Sequence, residues 1–319
     1  IENVLIGGKA GDALTDADFN VVLGAFALTT DTLGSKSTAI GAATLNKQNF
    51  TTATDSLNTA VGFSAGKEVT TGVQNTLIGG LAGDALTDAD HNVAVGLNAL
   101  SADTLGSKST AIGTGALGTQ NFTTATDAYN VAVGYDAGVA VTTGIHNTLI
   151  GALSGDAFTD ADFNVGVGYA TISSDTLGTQ STAVGYSALG NQNFTTATEA
   201  HNTAIGYIAG NAITTGRLTT LVGSLAGYRL TSGNSNVAVG YGSLSTDTKG
   251  DRNVAIGNSA LESQNFTTTT DSYNTAVGYT AGQSVTTGTA STFVGALAGG
   301  GVTTGIQNSA VGYAALGGL

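Results

Sequence analysis

Short apolar segments recur at regular intervals along the chain, each framed by an asparagine and a glycine. The consensus Asn-(Thr/Val)-Ala-(Val/Ile)-Gly occurs 18 times, and its fifth position is glycine in every copy. Five or six residues that alternate β-branched and small side chains, followed by glycine, are typical of a short strand that ends in a tight turn. The pattern therefore predicts an all-β chain.

The spacing of the copies predicts a solenoid. Successive copies lie 17, 17, 17 and 21 residues apart, in a cycle of 72 residues that we call the superrepeat. Seventeen residues hold about two short strands and two turns, which is one coil of a parallel β-solenoid with coils stacked about 4.8 Å apart. We therefore expect residues 1–319 to form a single repeat array of 18 coils. The copies begin at Asn3, Asn20, Ser37, Asn58, Asn75, Asn92, Ser109, Asn130, Asn147, Asn164, Ser181, Asn202, Thr219, Asn236, Asn253, Asn274, Ser291 and Asn308.

Stacked coils place equivalent residues in columns. The leading asparagines would form a column of side-chain amides that bond coil to coil. The fifth-position glycines would allow a positive φ angle, or close approach of another backbone, at the bend after each strand. In the 21-residue coils this structural ladder consists of Asn58, Gly62, Asn130, Gly134, Asn202, Gly206, Asn274 and Gly278.

Both sides of each predicted strand are apolar. The second and fourth residues point to one side and the third to the other, and the fourth positions include Val133 and Ile150 while the third include Ala132 and Leu149. One side can fill the coil interior, which leaves the other side for a partner. Because a thin coil of Ala, Val and Gly has little core of its own, we expect that partner to be further copies of the chain.

Composition narrows the possible functions. The chain has 48 glycines, no proline, cysteine, methionine or tryptophan, and a formal net charge of -13. Without cysteine there is no thiolate metal site, and the negative charge would repel nucleic acid and anionic membranes. The scattered apolar residues predict no membrane insertion. We expect no enzyme activity and no required cofactor, because an active site would interrupt a repeat that is hardly interrupted here.

The repeats resemble a known group of fibrous proteins. The segments that begin at Asn130, Asn202 and Asn274, with Gly-Tyr-x-Ala-Gly after the strand, and Ser-Thr-Ala-Ile-Gly at 109–113, resemble the head repeats of trimeric autotransporter adhesins and the shaft repeats of phage tail fibres. The resemblance covers nearly the whole chain, although those adhesin heads typically use shorter repeats. It implies a left-handed parallel β-roll, three chains around one axis, and an attachment function at a cell surface or virion tail.

One recurrent segment, Gly-Asp-Ala-(Leu/Phe)-Thr-Asp-Ala-Asp, has the acidic spacing of a cation-binding loop. Alternate oxygens in Asp-x-Asp-x-Asn can converge on calcium, a hard cation. The segment lacks the glycine and distal glutamate of an EF-hand, and the alternative interpretation is solvated Asx-turns at the coil corner. The candidate calcium ligands are Asp12, Asp16, Asp18, Asp84, Asp88, Asp90, Asp156, Asp160 and Asp162.

The 21-residue coils contain an insertion that reads Gln-Asn-Phe-Thr-Thr-(Ala/Thr)-Thr. Binding residues are often carried on loops of a rigid scaffold, so its phenylalanines are candidates for a receptor-binding loop. The alternative is a structural bulge whose ring packs against the shaft or across chains. The four rings belong to Phe50, Phe122, Phe194 and Phe266.

Two sets of ring side chains suggest further hypotheses. Seven tyrosines follow the fifth-position glycine, beginning with Tyr135, where an exposed column could stack on sugars or the rings could instead pack between coils or chains. The histidines His91, His146 and His201 each precede a leading asparagine three coils apart, about 14 Å along the stack. They are therefore too far apart to share a metal within one chain.

The preferred hypothesis is a structural and adhesive fibre segment, homotrimeric and extracellular or on a virion, that binds a host receptor or glycan. Since the chain does not start with methionine and neither end shows a polar cap, we expect it to be a fragment of a longer fibre. The alternative is a monomeric β-solenoid that binds a regular surface, either ice or polysaccharide, as suggested by Thr-Thr pairs such as Thr142-Thr143.

Overall fold

Each half of the chain is a parallel β-solenoid. The computed structural model describes residues 2–317, so Ile1, Gly318 and Leu319 lie outside the described residues. The chain divides into two compact units, Ile1–Ala161 and Asp162–Leu319, and the described part of each contains nine coils. The described residues contain no helix that could cross a membrane. The predicted all-β solenoid is confirmed.

In the first unit, nine three-residue strands form one parallel sheet, and four two-residue strands form two separate pairs. The nine are β1 Val4–Ile6, β2 Val21–Leu23, β4 Thr38–Ile40, β6 Thr59–Val61, β7 Thr76–Ile78, β8 Val93–Val95, β10 Thr110–Ile112, β12 Val131–Val133 and β13 Thr148–Ile150. The short pairs are β3 Gly34–Ser35 with β5 Thr54–Asp55, and β9 Gly106–Ser107 with β11 Thr126–Asp127.

The second unit repeats this arrangement. Its nine three-residue strands are β14 Val165–Val167, β16 Thr182–Val184, β18 Thr203–Ile205, β19 Thr220–Val222, β20 Val237–Val239, β22 Val254–Ile256, β24 Thr275–Val277, β25 Thr292–Val294 and β26 Ser309–Val311. Its short pairs are β15 Gly178–Thr179 with β17 Thr198–Glu199, and β21 Gly250–Asp251 with β23 Thr270–Asp271.

The strands are shorter and fewer than the sequence suggested. Each coil has one three-residue strand, and a second strand occurs only in the coils on either side of an insertion. The strand cannot continue past its glycine because the second residue after that glycine has a positive φ angle, as at Ser64 and Asp136. A left-handed residue turns the chain away from the extended direction.

The middle residue of each strand points into the coil. Neighbouring strands pair in phase, so Ala111 lies between Ala94 and Ala132 in the ladder, and all three are fully buried. Larger side chains recur at this position in every fourth coil, where Leu149 and Phe293 are also fully buried. These columns of small and large apolar residues form the core of each unit.

The glycine after each strand packs directly against the glycine of the next coil. Gly134 has φ +146°, and a Cβ there would lie 2.6 Å from the carbonyl carbon and oxygen of Gly151. In the second unit, Gly206 has φ +141° and a Cβ would lie 2.5 Å from the carbonyl group of Gly223. A side chain at either place would suffer both backbone strain and collision.

The leading asparagine links consecutive coils. The backbone N–H of Asn147 donates to Oδ1 of Asn130 over 2.9 Å, and Nδ2 of Asn130 donates to the carbonyl of Gly144 over 2.7 Å. Asn130 is fully buried. Because one buried side chain satisfies a donor and an acceptor of neighbouring backbone, the asparagine column both aligns the coils and removes polar groups from the core.

A buried aspartate joins this ladder once in each superrepeat. Oδ1 of Asp103 accepts the backbone N–H groups of Gly106 and Phe122 over 3.0 and 3.1 Å, and its Oδ2 accepts Nε2 of Gln120 over 2.6 Å. Gln120 in turn accepts Nδ2 of Asn130 over 2.9 Å. The four fully buried aspartates are Asp31, Asp103, Asp175 and Asp247.

Two opposing effects act on the pKa of Asp103. Burial raises the pKa of its carboxyl, and the hydrogen bonds from Gln120 and from backbone N–H groups partly offset that rise. The carboxylate is buried with three donors and no other charge in its hydrogen bonds. This network is the polar centre of the 21-residue coil.

Candidate functional site

Each sheet turns a largely apolar face outward. The second and fourth residues of every three-residue strand lie on this face, and they are threonines, valines and isoleucines in nearly all coils. Ile112 and Ile150 are 38% and 40% exposed in the first unit, and Ile205 and Ile256 have the same exposures, 40% and 38%, in the second. We call these surfaces the outward sheet faces.

The size of the outward sheet face is typical of an interaction surface. Nine strands about 4.8 Å apart, each contributing about 10 Å of length, give a patch on the order of 400 Å² in one unit. The largest apolar patches on soluble monomers are of similar size and are often functional. The face is also flat and regular, because every coil contributes the same two positions.

The tyrosines beside the outward sheet face stack on one another. The ring centroids of Tyr169 and Tyr186 lie 5.5 Å apart, and those of Tyr186 and Tyr207 lie 5.4 Å apart, with near-parallel planes. The three side chains are about half exposed. Because the ring faces cover each other, the column presents edges and hydroxyls, which fits packing between coils better than stacking on sugar rings.

The insertion buries its phenylalanine and exposes its threonines. The rings of Phe50, Phe122, Phe194 and Phe266 are only 5–6% exposed. A Cβ added to Gly106 would lie 2.7 Å from the Phe122 ring, so the glycine makes room for it. Residues 123–125 of the insertion are exposed, and a receptor would therefore meet the small side chains of the tip rather than the ring.

The acidic corners are held by bonds between coils. Oδ1 of Asp88 accepts the Thr71 hydroxyl over 2.6 Å, and Oδ1 of Asp90 accepts the Val73 N–H over 2.8 Å. Among the residues described by the structure, no group of three or more His, Cys, Asp or Glu side chains is placed to hold a metal ion. Calcium binding remains a hypothesis without a converging ligand set.

Asp156 differs from the other corner acids. Its Oδ1 is buried without a hydrogen-bond partner, and burial raises the pKa of its carboxyl. Burial likewise raises the pKa of Asp84 at the equivalent position. A raised pKa means that the environment disfavours the charged form that would bind calcium.

One surface column varies from coil to coil although the repeat around it does not. The residue before each leading position has φ between 50° and 64° in all 18 coils and is never glycine. Ten residue types occupy it, and they include all three histidines. We call it the variable column. Such left-handed residues are uncommon and carry a cost, so this position aims a different side chain outward from each coil.

Side chains in the variable column contact their neighbours. The rings of Tyr129 and His146 stack with centroids 5.3 Å apart. His201 lies beside Glu199, with Nε2 3.5 Å from a carboxylate oxygen. Two cavities in the second unit border the column, one of 320 Å³ next to Phe163 and Gln180 and one of 240 Å³ next to Leu218 and Arg252. Sequence reasoning missed this column because its variability hides its shared backbone geometry.

Comparison with known proteins gives no family. No protein-family model matches the chain, and no curated protein sequence matches it. The functional argument therefore rests on the residues and surfaces described above.

Proposed function

We propose that this chain is a structural and adhesive fibre segment that assembles as a homotrimer and carries attachment sites on an extracellular or virion surface. The observation that supports the proposal is the outward sheet face, on which Ile112, Val133 and Ile150 stand beside one another in every-coil register. A regular apolar face is suited to a partner with the same repeat, because identical coils then meet at identical spacing.

The proposed role is mechanical and adhesive, and it requires no catalysis. Repeat solenoids derive their stability from contacts between neighbouring coils, which lets a long surface be built from one motif. Exposed insertion tips at 51–53 and 123–125 recur once per superrepeat on this scaffold. In the proposed fibre they are candidates for contact with a host receptor or glycan.

The native mass tests the assembly. One chain has a mass of 31.3 kDa, so a trimer has three times that, about 94 kDa. We expect light scattering to give the trimer mass for the wild type and the monomer mass for Ile112→Asp/Val133→Asp, which places two charges on the outward sheet face. Thr123→Asp at the exposed insertion tip is the control and should stay trimeric.

A folded wild-type monomer would contradict the trimer. It would favour the alternative function, in which a single chain binds a regular surface through its outward threonines and valines. Circular dichroism should accompany the mass measurement, because loss of the strand signal in the double variant would show unfolding rather than dissociation.

A further inference from the structure

The superrepeats share a surface ion pair at one position of the variable column. Lys36 contacts Asp55 and Lys108 contacts Asp127, each with Nζ 2.5 Å from a carboxylate oxygen. Arg252 forms the same close pair with Asp271. In each case the basic residue precedes the leading position of a 17-residue coil, and the acid belongs to the two-residue strand of the following 21-residue coil.

An aromatic ring completes two of these three sites. Nζ of Lys108 lies 5.2 Å from the centre of the Tyr129 ring and 3.2 Å from its hydroxyl. The guanidinium of Arg252 lies 5.5 Å from the centre of the Tyr273 ring. The shared chemistry is a side-chain cation held by one carboxylate and one ring.

The remaining superrepeat keeps the acid and loses the cation. Gln180 stands where the other copies have Lys or Arg, and Glu199 stands where they have Asp. A cavity of 320 Å³ opens at this place, and its lining includes Phe163, Gln180 and Glu199. The Phe163 ring is 52% exposed, and the Glu199 side chain is 72% exposed. His201 lies on Glu199 at the position of Tyr129 and Tyr273.

We propose that this cavity binds a lysine or arginine side chain presented by a partner polypeptide. The carboxylate of Glu199 would act as counter-ion, and the Phe163 ring would cover the aliphatic part or the charge of the side chain. The choice of ligand follows from the chain itself, since the three equivalent positions are each filled by its own Lys or Arg. All participating residues lie in one unit of one chain, so the inference does not depend on the proposed trimer or on adhesion.

The test uses two opposite substitutions and a ligand-observed measurement. Nα-acetyl-lysine methylamide would be titrated against the full chain, with the equivalent norleucine derivative as neutral probe, and binding followed by saturation-transfer NMR. Gln180→Lys should fill the cavity from within and reduce the lysine signal to the level of the neutral probe. Lys108→Gln should open a second cavity beside Asp127 and roughly double the signal.

The controls separate this site from diffuse attraction to an acidic protein. With a net charge of -13, general attraction would act on wild type and Gln180→Lys alike, so equal signals in these two proteins would overturn the proposal. Glu199→Gln should also abolish binding without introducing a competing cation. Thermal melting should show that Gln180→Lys is as stable as wild type, since the same residue is native at position 108. The native mass of each variant, measured in parallel, reports on the trimer independently.

Discussion

At Gly134 the backbone geometry leaves no room for a side chain. A Cβ there would lie 2.6 Å from the Gly151 carbonyl at φ +146°, so the strain and the collision add. We expect Gly134→Ala to lower the free energy of unfolding by on the order of 3 kcal/mol. Chemical denaturation monitored by circular dichroism would measure the loss.

Gly80 provides the matched control. A Cβ at Gly80 would meet only Cδ1 of Leu97, at 3.4 Å, which is ordinary contact. Gly80→Ala should therefore leave stability within about 0.5 kcal/mol of wild type. If both variants melted like wild type, the glycine column would have no steric role.

Gln120 is expected to stabilise the charged form of Asp103. Gln120→Ala removes the amide that donates to the carboxylate, which should cost about 2 kcal/mol at neutral pH and raise the pKa of Asp103 further. Because the folded pKa of Asp103 already lies above its ordinary value, its charge costs stability above that pKa and the cost disappears as pH falls through it. The destabilisation by Gln120→Ala should therefore shrink at acidic pH, as measured by denaturation at several pH values.

Gln74→Ala is the control for this substitution. Gln74 is exposed in the variable column of the same unit, so its removal should change stability little at any pH. A pH-independent loss in Gln120→Ala would show that packing, rather than the carboxylate, carries the effect.

At the residue scale, the sequence predicted what repeats and missed what is buried or variable. Glycine at every fifth position pointed to the bend because only backbone geometry demands such constancy. Asp103, within Asp-Thr-Leu-Gly, looks like an ordinary surface turn, and nothing local shows that Gln120 reaches it from 17 residues away. The left-handed variable column gave no signal because Gly and Asn, the usual markers of that geometry, do not occur there.

At the scale of elements, the insertion is expected to stabilise the coil through its ring. Phe122→Ala would empty a nearly closed space beside Gly106 and should cost about 3 kcal/mol. Thr123→Ala at the exposed tip should cost less than about 0.5 kcal/mol. Comparison of the two denaturation midpoints decides between a structural insertion and a loop that is dispensable for stability.

The element pattern explains why strand existence was predicted and strand length was not. Alternation marks the three residues of β12 well, but the flanking Asn130 and Gly134 also fit an extended pattern in the sequence. Only the hydrogen bonds show that the asparagine is turned into the core and that the glycine already bends. The second strand depends on the insertion, because Thr126 and Asp127 have a partner only in the preceding coil.

At the scale of the whole molecule, charge is expected to oppose the proposed assembly. Three chains of net charge -13 carry -39 together, and this repulsion is screened as the Debye length falls from about 30 Å at 0.01 M salt to about 8 Å at 0.15 M. The melting temperature of the trimer should therefore rise over this range of salt. A fall would indicate that local pairs such as Lys108 with Asp127 outweigh the net repulsion.

The buried aspartate also acts as a register mark. Six residues before the leading position, successive coils carry Leu86, Asp103 and Val141, all fully buried. A coil stacked one place out of step would set the Asp103 carboxylate among apolar side chains and separate it from Gln120, at the cost of an unmatched buried charge. A shift by 72 residues restores every pairing. Insertion or deletion of whole superrepeats is therefore compatible with the fold, whereas the gain of a single coil is not.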